Sequence, residues 1–229
     1  MSTEHIAQNI ETVLARLSDA ATVGGRNPED IQLIAVSKTV SAVAVQAAFD
    51  AGHRDFGENR VQELQAKRSA LPRACCWHMI GHLQKNKVRP AVQCADWIHS
   101  VDSRKLLQRI DRIAGEDGRH PRILLEVNVT GEASKFGLAP DETEPLLLHA
   151  HECSHLDCAG LMTMAPFAAE EAELHRIFAR LRELRNTLSD RTGVALPELS
   201  MGMSADFEVA IEEGATMVRI GTAIFGARH

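Results

Sequence analysis

Short apolar runs alternate with amphipathic stretches along nearly the whole chain. An opening helix capped by Ser2 or Thr3 shows Ile6, Ile10, Val13, Leu14 and Leu17 on one face and stops at Gly24-Gly25. Residues 33–38 then form a run whose apolar side chains occupy both faces, as in a strand buried on both sides, and it ends on a lysine. Further runs of this kind lie at 53–56, 77–80, 97–101, 123–129, 158–162, 199–201 and 217–220. Between them the helical period returns. Ser41 opens a helix carrying Val45, Ala48 and Phe49, and Val61 and Leu64 start one that Pro72 closes. A helix over 83–92 is shortened by Pro90, and Leu106, Leu107, Ile110 and Ile113 make the next stripe. Asp141 begins a helix with Leu146, Leu147 and Leu148; a long one spans Leu174 to Leu188; a last one, with Phe207, Ala210 and Ile211, ends at Gly214.

Eight strands alternating with helices demand a parallel sheet with right-handed crossovers. The pattern predicts an α/β fold, a single (β/α)8 TIM barrel spanning residues 1–229, with a doubly wound open sheet as the alternative. No G-x-G-x-x-G follows the first strand, which weighs against a dinucleotide fold.

Composition narrows the function classes. The formal net charge of −6 leaves no excess of cations for a general nucleic-acid binder. No segment approaches the ~20 apolar residues of a membrane span, and the N-terminus lacks a basic-then-apolar leader. Five cysteines without C-x-x-C spacing fit a reducing compartment. These features predict a cytoplasmic protein. The chain contains no tyrosine.

In a (β/α)8 barrel the active face gathers the C-terminal ends of the strands. Those ends read Lys38, Asn59, Gly81 with His82, Asn128, Met162 with Thr163, Ser200 with Ser204, and Arg219 with Gly221 and Thr222, while the strand interiors read as apolar. Lys38 alone reads most simply as a strand-end lysine snorkelling to water. Set among polar neighbours and half desolvated, its amine gains the neutral form that condenses with an aldehyde. Met201-Gly202-Met203-Ser204 and Gly221-Thr222 are turns after strands seven and eight, the usual phosphate position of this fold. A phosphate grip opposite a lysine suggests a phosphorylated aldehyde, with pyridoxal 5′-phosphate (PLP) the obvious candidate. Arg219, two residues before Gly221, points to the same side of its strand and is placed either to face a pyridine nitrogen or to pair with a barrel carboxylate such as Glu126.

A series of motifs then appears in order: Ala35-Val36-Ser37-Lys38-Thr39, Phe56-Gly57-Glu58-Asn59, His78-Met79-Ile80-Gly81-His82-Leu83-Gln84-Lys85-Asn86-Lys87, Ser134-Lys135-Phe136-Gly137 and Gly160-Leu161-Met162-Thr163-Met164. Leu199-Ser200-Met201-Gly202-Met203-Ser204 and Met217-Val218-Arg219-Ile220-Gly221-Thr222-Ala223-Ile224-Phe225-Gly226 complete it. The series resembles the pyridoxal phosphate homeostasis proteins, the YggS/PROSC (PLPBP) family. His82, Arg60 and Phe207 depart from the family's usual proline, aromatic and methionine. The resemblance implies a barrel related to the N-terminal domain of alanine racemase, of the fold type III PLP proteins, with PLP held on Lys38 as an aldimine. It also implies a role in vitamin B6 balance, buffering or delivering PLP, without established turnover. The site expected is Lys38 on the aldehyde, Ser200, Ser204, Gly221 and Thr222 on the phosphate, Arg219 at the ring nitrogen and Asn59 along the ring. Apo PLP-dependent enzymes are the expected recipients and a monomer the expected state; Lys135 and the Lys85–Lys87 segment are open as a second PLP site.

Two enzyme readings stand beside the carrier. A small PLP-dependent racemase needs an acid/base on each face of the cofactor; Lys38 serves one, but no tyrosine exists for the other, leaving His82 as the substitute. A barrel aldolase would use Lys38 with Glu58 or Glu126. His149, His151 and His155 with Glu152 have helical metal-ligand spacing but lie at the far end of the barrel from Lys38.

Overall fold

Eight parallel strands close on themselves in chain order, each paired with its sequence neighbours and the last with the first. The structure is a computed structural model and describes residues 3–132, 136–166 and 168–226. Ser2, Ser134 and Lys135 therefore lie outside the described residues.

Helix α1 (Thr3–Val23) precedes β1 (Gln32–Val36), and α2 (Ala42–Asp50) starts where the Ser41 side chain accepts from the Ala44 N–H. Then come β2 (Asp55–Glu58), α3 (Val61–Ala70), β3 (Cys76–Met79), α4 (Val88–Cys94), β4 (Trp97–Val101) and α5 (Arg104–Glu116). The second half runs β5 (Arg122–Glu126), α6 (Pro140–His151), β6 (Asp157–Met162) and α7 (Glu171–Thr192). It closes with β7 (Glu198–Met203), α8 (Phe207–Glu212), β8 (Met217–Ile220) and a four-residue α9 (Thr222–Phe225).

The strands divide their side chains between two apolar cores. Outward-facing residues such as Leu33, Ala35, Phe56 and Val218 pack under the helices in one large cluster. Inward-facing Ile34, Trp97, Leu124, Ala159, Met162 and Met217 fill the barrel lumen in a second, smaller one. Period-two alternation produces this division, and it explains why apolar side chains recur on both faces of the strands.

Several boundaries differ from the sequence expectation. Gly57 and Glu58 belong to β2, because the Glu58 carboxylate is buried against Lys67 and Ser37 and so can stay in the ladder. Strand five ends at Glu126; Val127 makes only an isolated bridge to Leu138, and the Asn128 side chain folds back to bond Glu132 O and Gly131 N–H. The helix expected over 83–92 is a single 3₁₀ turn (Lys85–Lys87) followed by α4, with Pro90 in the first turn, where its missing N–H goes unneeded. The expectation that strand interiors are apolar also fails, since His78, His99 and Ser200 are fully buried within β3, β4 and β7.

Candidate active site

Lys38, Asn59, Ser204, Arg219, Gly221 and Thr222 line one cavity of about 290 Å3 at the C-terminal mouth of the barrel. Val36, Ile80 and Met164 supply its apolar walls. Each polar group arrives on a strand exit: Lys38 after β1, Asn59 after β2, Ser204 after β7, and Arg219 with its following turn on β8.

The exit of β1 is fixed from behind. The Lys67 ammonium donates to Ser37 O at 2.6 Å and to Glu58 Oε1 at 2.5 Å, and the Ser37 hydroxyl donates to the same carboxylate oxygen at 2.7 Å. One residue past Lys38, the Thr39 N–H donates to Glu63 Oε2 at 2.7 Å, with Thr39 held at φ +64°. A non-glycine residue in that region is uncommon and marks a chain forced through a specific turn. Burial raises the Glu58 carboxyl above its usual range, and the bonds from Lys67 and Ser37 only partly offset this.

Two glycines let backbones approach where the mouth needs it. A Cβ on Gly81 would stand 2.4 Å from Asn59 O, so the exit of β3 packs directly on the backbone that presents Asn59. Gly202 has φ +94°, and its added Cβ would meet Ala210 Cβ at 2.7 Å and Phe207 Cα at 3.0 Å. That turn brings Ser204 to the loop after β8, where its hydroxyl accepts from the Gly221 N–H at 3.3 Å.

Arg219 is 4 % exposed and gives its guanidinium two fixed partners, Ser200 Oγ at 2.5 Å and Thr163 O at 2.9 Å. Burial lowers it to about 10, against the opposing pull of Asp206 and Glu126. No carboxylate of the described residues lies at ion-pair distance from it, so the pairing with Glu126 left open by the sequence is not made. Glu126 is itself pushed up to about 7 by burial and by Asp102, with Arg219 acting in the other direction.

Ser200 is placed differently from the expectation. It is fully buried beneath the cavity, does not line it, and its hydroxyl is engaged by Arg219 and by His99 Nδ1 at 2.9 Å. Ser200 therefore supports Arg219 and is not positioned to touch a phosphate at the mouth. Ser204, one residue past the end of β7, stands at the rim, whereas Ser200 lies within the strand.

Other groups were not anticipated. Asp206 lines the cavity with a largely buried carboxyl that accepts from the Met203 N–H at 2.5 Å, and burial raises it above its usual range. The signal was an acid three residues after Met203 in a glycine turn, which caps the turn. The Glu58–Lys67 pair carries no sequence signal beyond a lysine on an otherwise apolar helix stripe. His149 faces Arg104 and Gln108, and His155 pairs with Asp111, so these two histidines are occupied at the helix surface.

A family model described as alanine racemase, N-terminal domain, matches residues 2–229. The pyridoxal phosphate homeostasis protein of Pseudomonas aeruginosa is 47 % identical over 224 residues, covering 97 % of this chain and 96 % of the relative. The chain is a member of the pyridoxal phosphate homeostasis family. Within that family the Aquifex aeolicus protein is 41 % identical over 222 residues, covering 96 % of this chain and 97 % of its own. The structure of PipY from Synechococcus elongatus with PLP bound superimposes with a TM-score of 0.84 at 41 % identity, over 96 % of this chain and all of that one. A Clostridium difficile alanine racemase matches with a TM-score of 0.78 at 18 % identity, over 96 % of this chain and 57 % of its own. That likeness is one of fold, and it lends no support to a racemase reading.

Proposed function

We propose that this chain binds PLP in the cavity at the barrel mouth and keeps it in reversible circulation, as a homeostasis protein without catalytic turnover. The reading rests on one observation: a lysine amine, a buried guanidinium and the Ser204/Gly221–Thr222 turns converge on the same small cavity. This donor set fits the ligand, for an amine suits an aldehyde, hydroxyls and backbone turns suit a phosphate, and apolar walls suit a ring. Bound there, PLP supplies an aldehyde that condenses reversibly with a primary amine, releasing water. Lys38 is the covalent anchor, held at its turn by the Ser37–Glu58–Lys67 network. Arg219, fixed by Ser200 and Thr163 O, presents a permanent donor to the ring nitrogen, while Asn59 lies along the ring. Ser204, Gly221 and Thr222 hold the phosphate.

The solved PipY complex and the names of the relatives support this assignment. Against turnover stand the missing tyrosine and the placement of His82. That imidazole stacks on Phe136 at 4.0 Å and is not among the described residues lining the cavity. Residues 1–229 act as one PLP-binding unit, a cytoplasmic monomer whose recipients are apo PLP-dependent enzymes.

The test is an absorption spectrum of purified protein with PLP, before and after borohydride, followed by intact mass. Wild type gains a near-visible band and, after reduction, one covalently fixed PLP per chain. Lys38→Ala gives neither. Identical spectra and masses for the two proteins would reject the assignment.

A further inference from the structure

Behind Arg219 a line of buried polar groups runs down the lumen to the opposite end of the barrel. Arg219 Nη1 lies 2.5 Å from Ser200 Oγ, which lies 2.9 Å from His99 Nδ1. His99 Nε2 lies 3.0 Å from His78 Nδ1, and His78 Nε2 lies 3.2 Å from Asp55 Oδ1. Ser200, His78 and His99 are wholly buried, and Asp55 sits at the start of β2, where its side chain is 23 % exposed. Gln32 Nε2 secures the Asp55 carboxylate at 2.8 Å, and the Trp97 ring lies parallel to His78 at 5.7 Å.

The two ends of this line differ in kind. A guanidinium can only donate hydrogen bonds and a carboxylate can only accept them. Each intermediate group has one donor and one acceptor free for the chain when the histidines are neutral. With both rings neutral, only one arrangement satisfies these contacts: Arg219 donates to Ser200, Ser200 to His99 Nδ1, His99 Nε2–H to His78 Nδ1, and His78 Nε2–H to Asp55. Burial drives His99 toward the neutral form, and the nearby His78 and Arg219 add to this.

We infer that Asp55, His78, His99 and Ser200 form a one-way hydrogen-bond chain that aims Arg219 into the cavity and so selects ligands whose ring carries an acceptor nitrogen. These four are positioning residues. The inference deepens the PLP reading and rests on it for the identity of the ligand, but not for the direction of the chain. An interior Ser–His–His line is costly unless fully satisfied, so its presence in a lumen otherwise filled by Ile34, Leu124 and Met217 calls for a role. Fixing the guanidinium at both Nη atoms makes Arg219 an unforgiving donor, and such a donor left facing a C–H loses affinity.

Two measurements test it. Long-range ¹H–¹⁵N spectra of histidine-labelled protein report the tautomers directly; the expected result is neutral, Nε2-protonated rings for both His78 and His99. Nδ1-protonated or cationic rings would overturn the one-way chain. The second compares the affinities of PLP and its 1-deaza analogue, in which the ring nitrogen is a C–H. Wild type prefers PLP by about tenfold, the value of one well-placed hydrogen bond. Ser200→Ala and His99→Leu reduce that preference to about twofold or less, whereas His99→Gln, which keeps an acceptor for Ser200, restores part of it. An unchanged preference in folded Ser200→Ala, or no preference in wild type, would overturn the positioning role. Loss of all PLP binding in wild type would instead reject the cavity assignment, with the tautomers still judging the chain's direction.

Discussion

At the scale of single residues, the site is held by charges placed where water cannot reach them. Glu58 is fully buried, with one carboxylate oxygen shared by Lys67 and Ser37 and the other without a hydrogen-bond partner. Such a pair contributes little net stability, because desolving both ions costs about as much as their attraction returns. Breaking it is another matter. Lys67→Met leaves an uncompensated carboxylate beneath the Lys38 turn and is expected to lower unfolding free energy by about 3–5 kcal/mol. Adding Glu58→Gln to that variant recovers part of the loss, since the buried charge is then gone. Urea titrations of the two single variants and the double variant measure this coupling; strictly additive losses would show that the pair acts as two independent contacts. The same network predicts weaker PLP retention in Lys67→Met, because Ser37 O loses the donor that pins the residue before Lys38.

At the scale of elements, function depends on where each strand stops. Gly81 shows how narrow the tolerance is. Gly81→Ala places a Cβ against Asn59 backbone, which cannot swing away, whereas Gly115→Ala on α5 meets only the half-exposed His155 ring. We expect Gly81→Ala to cost about 2–3 kcal/mol and Gly115→Ala to stay within about 1 kcal/mol of wild type, helped by better helix propensity. Thermal melts and PLP titrations of both proteins check it; equal behaviour would mean that the β3 exit is looser than its packing implies. The sequence made the strand order legible because apolar runs and amphipathic stretches alternate cleanly, and strand four matches residue for residue. The mouth residues were legible for the same reason, as polar side chains stranded at the ends of apolar runs. What periodicity could not show was long-range pairing. β2 extends through Glu58 only because a lysine on the next helix accepts its charge. Ser200 and Ser204 look alike in sequence, and only the point where β7 ends separates a buried support from a rim hydroxyl. Nothing in the sequence pairs His78 with His99; barrel closure places their rings 3.0 Å apart.

At the scale of the whole molecule, the barrel's two polar zones set how its stability responds to pH. Glu126 is 3 % exposed near the mouth, and burial together with Asp102 raises its carboxyl to about 7, well above the 4.5 of a solvated glutamate. A carboxyl raised on folding binds more protons in the native than in the unfolded chain. Its contribution to stability is therefore complete below the unfolded value and is lost as pH rises through the folded one. His99, lowered by burial in the lumen, works in the opposite direction: its neutral native state gains stability as pH rises toward the usual histidine range. A pH–stability curve of wild type alone would mix the two. The difference between wild type and Glu126→Gln isolates the carboxyl, because the amide keeps the shape and removes the titration. Between pH 5 and pH 8, wild type should lose on the order of 2–3 kcal/mol more than the variant, as measured by denaturant unfolding at each pH. Parallel curves would place the Glu126 carboxyl in ordinary solvent contact. Curves that diverge with wild type gaining would mean that Arg219, and not burial, governs this end of the lumen.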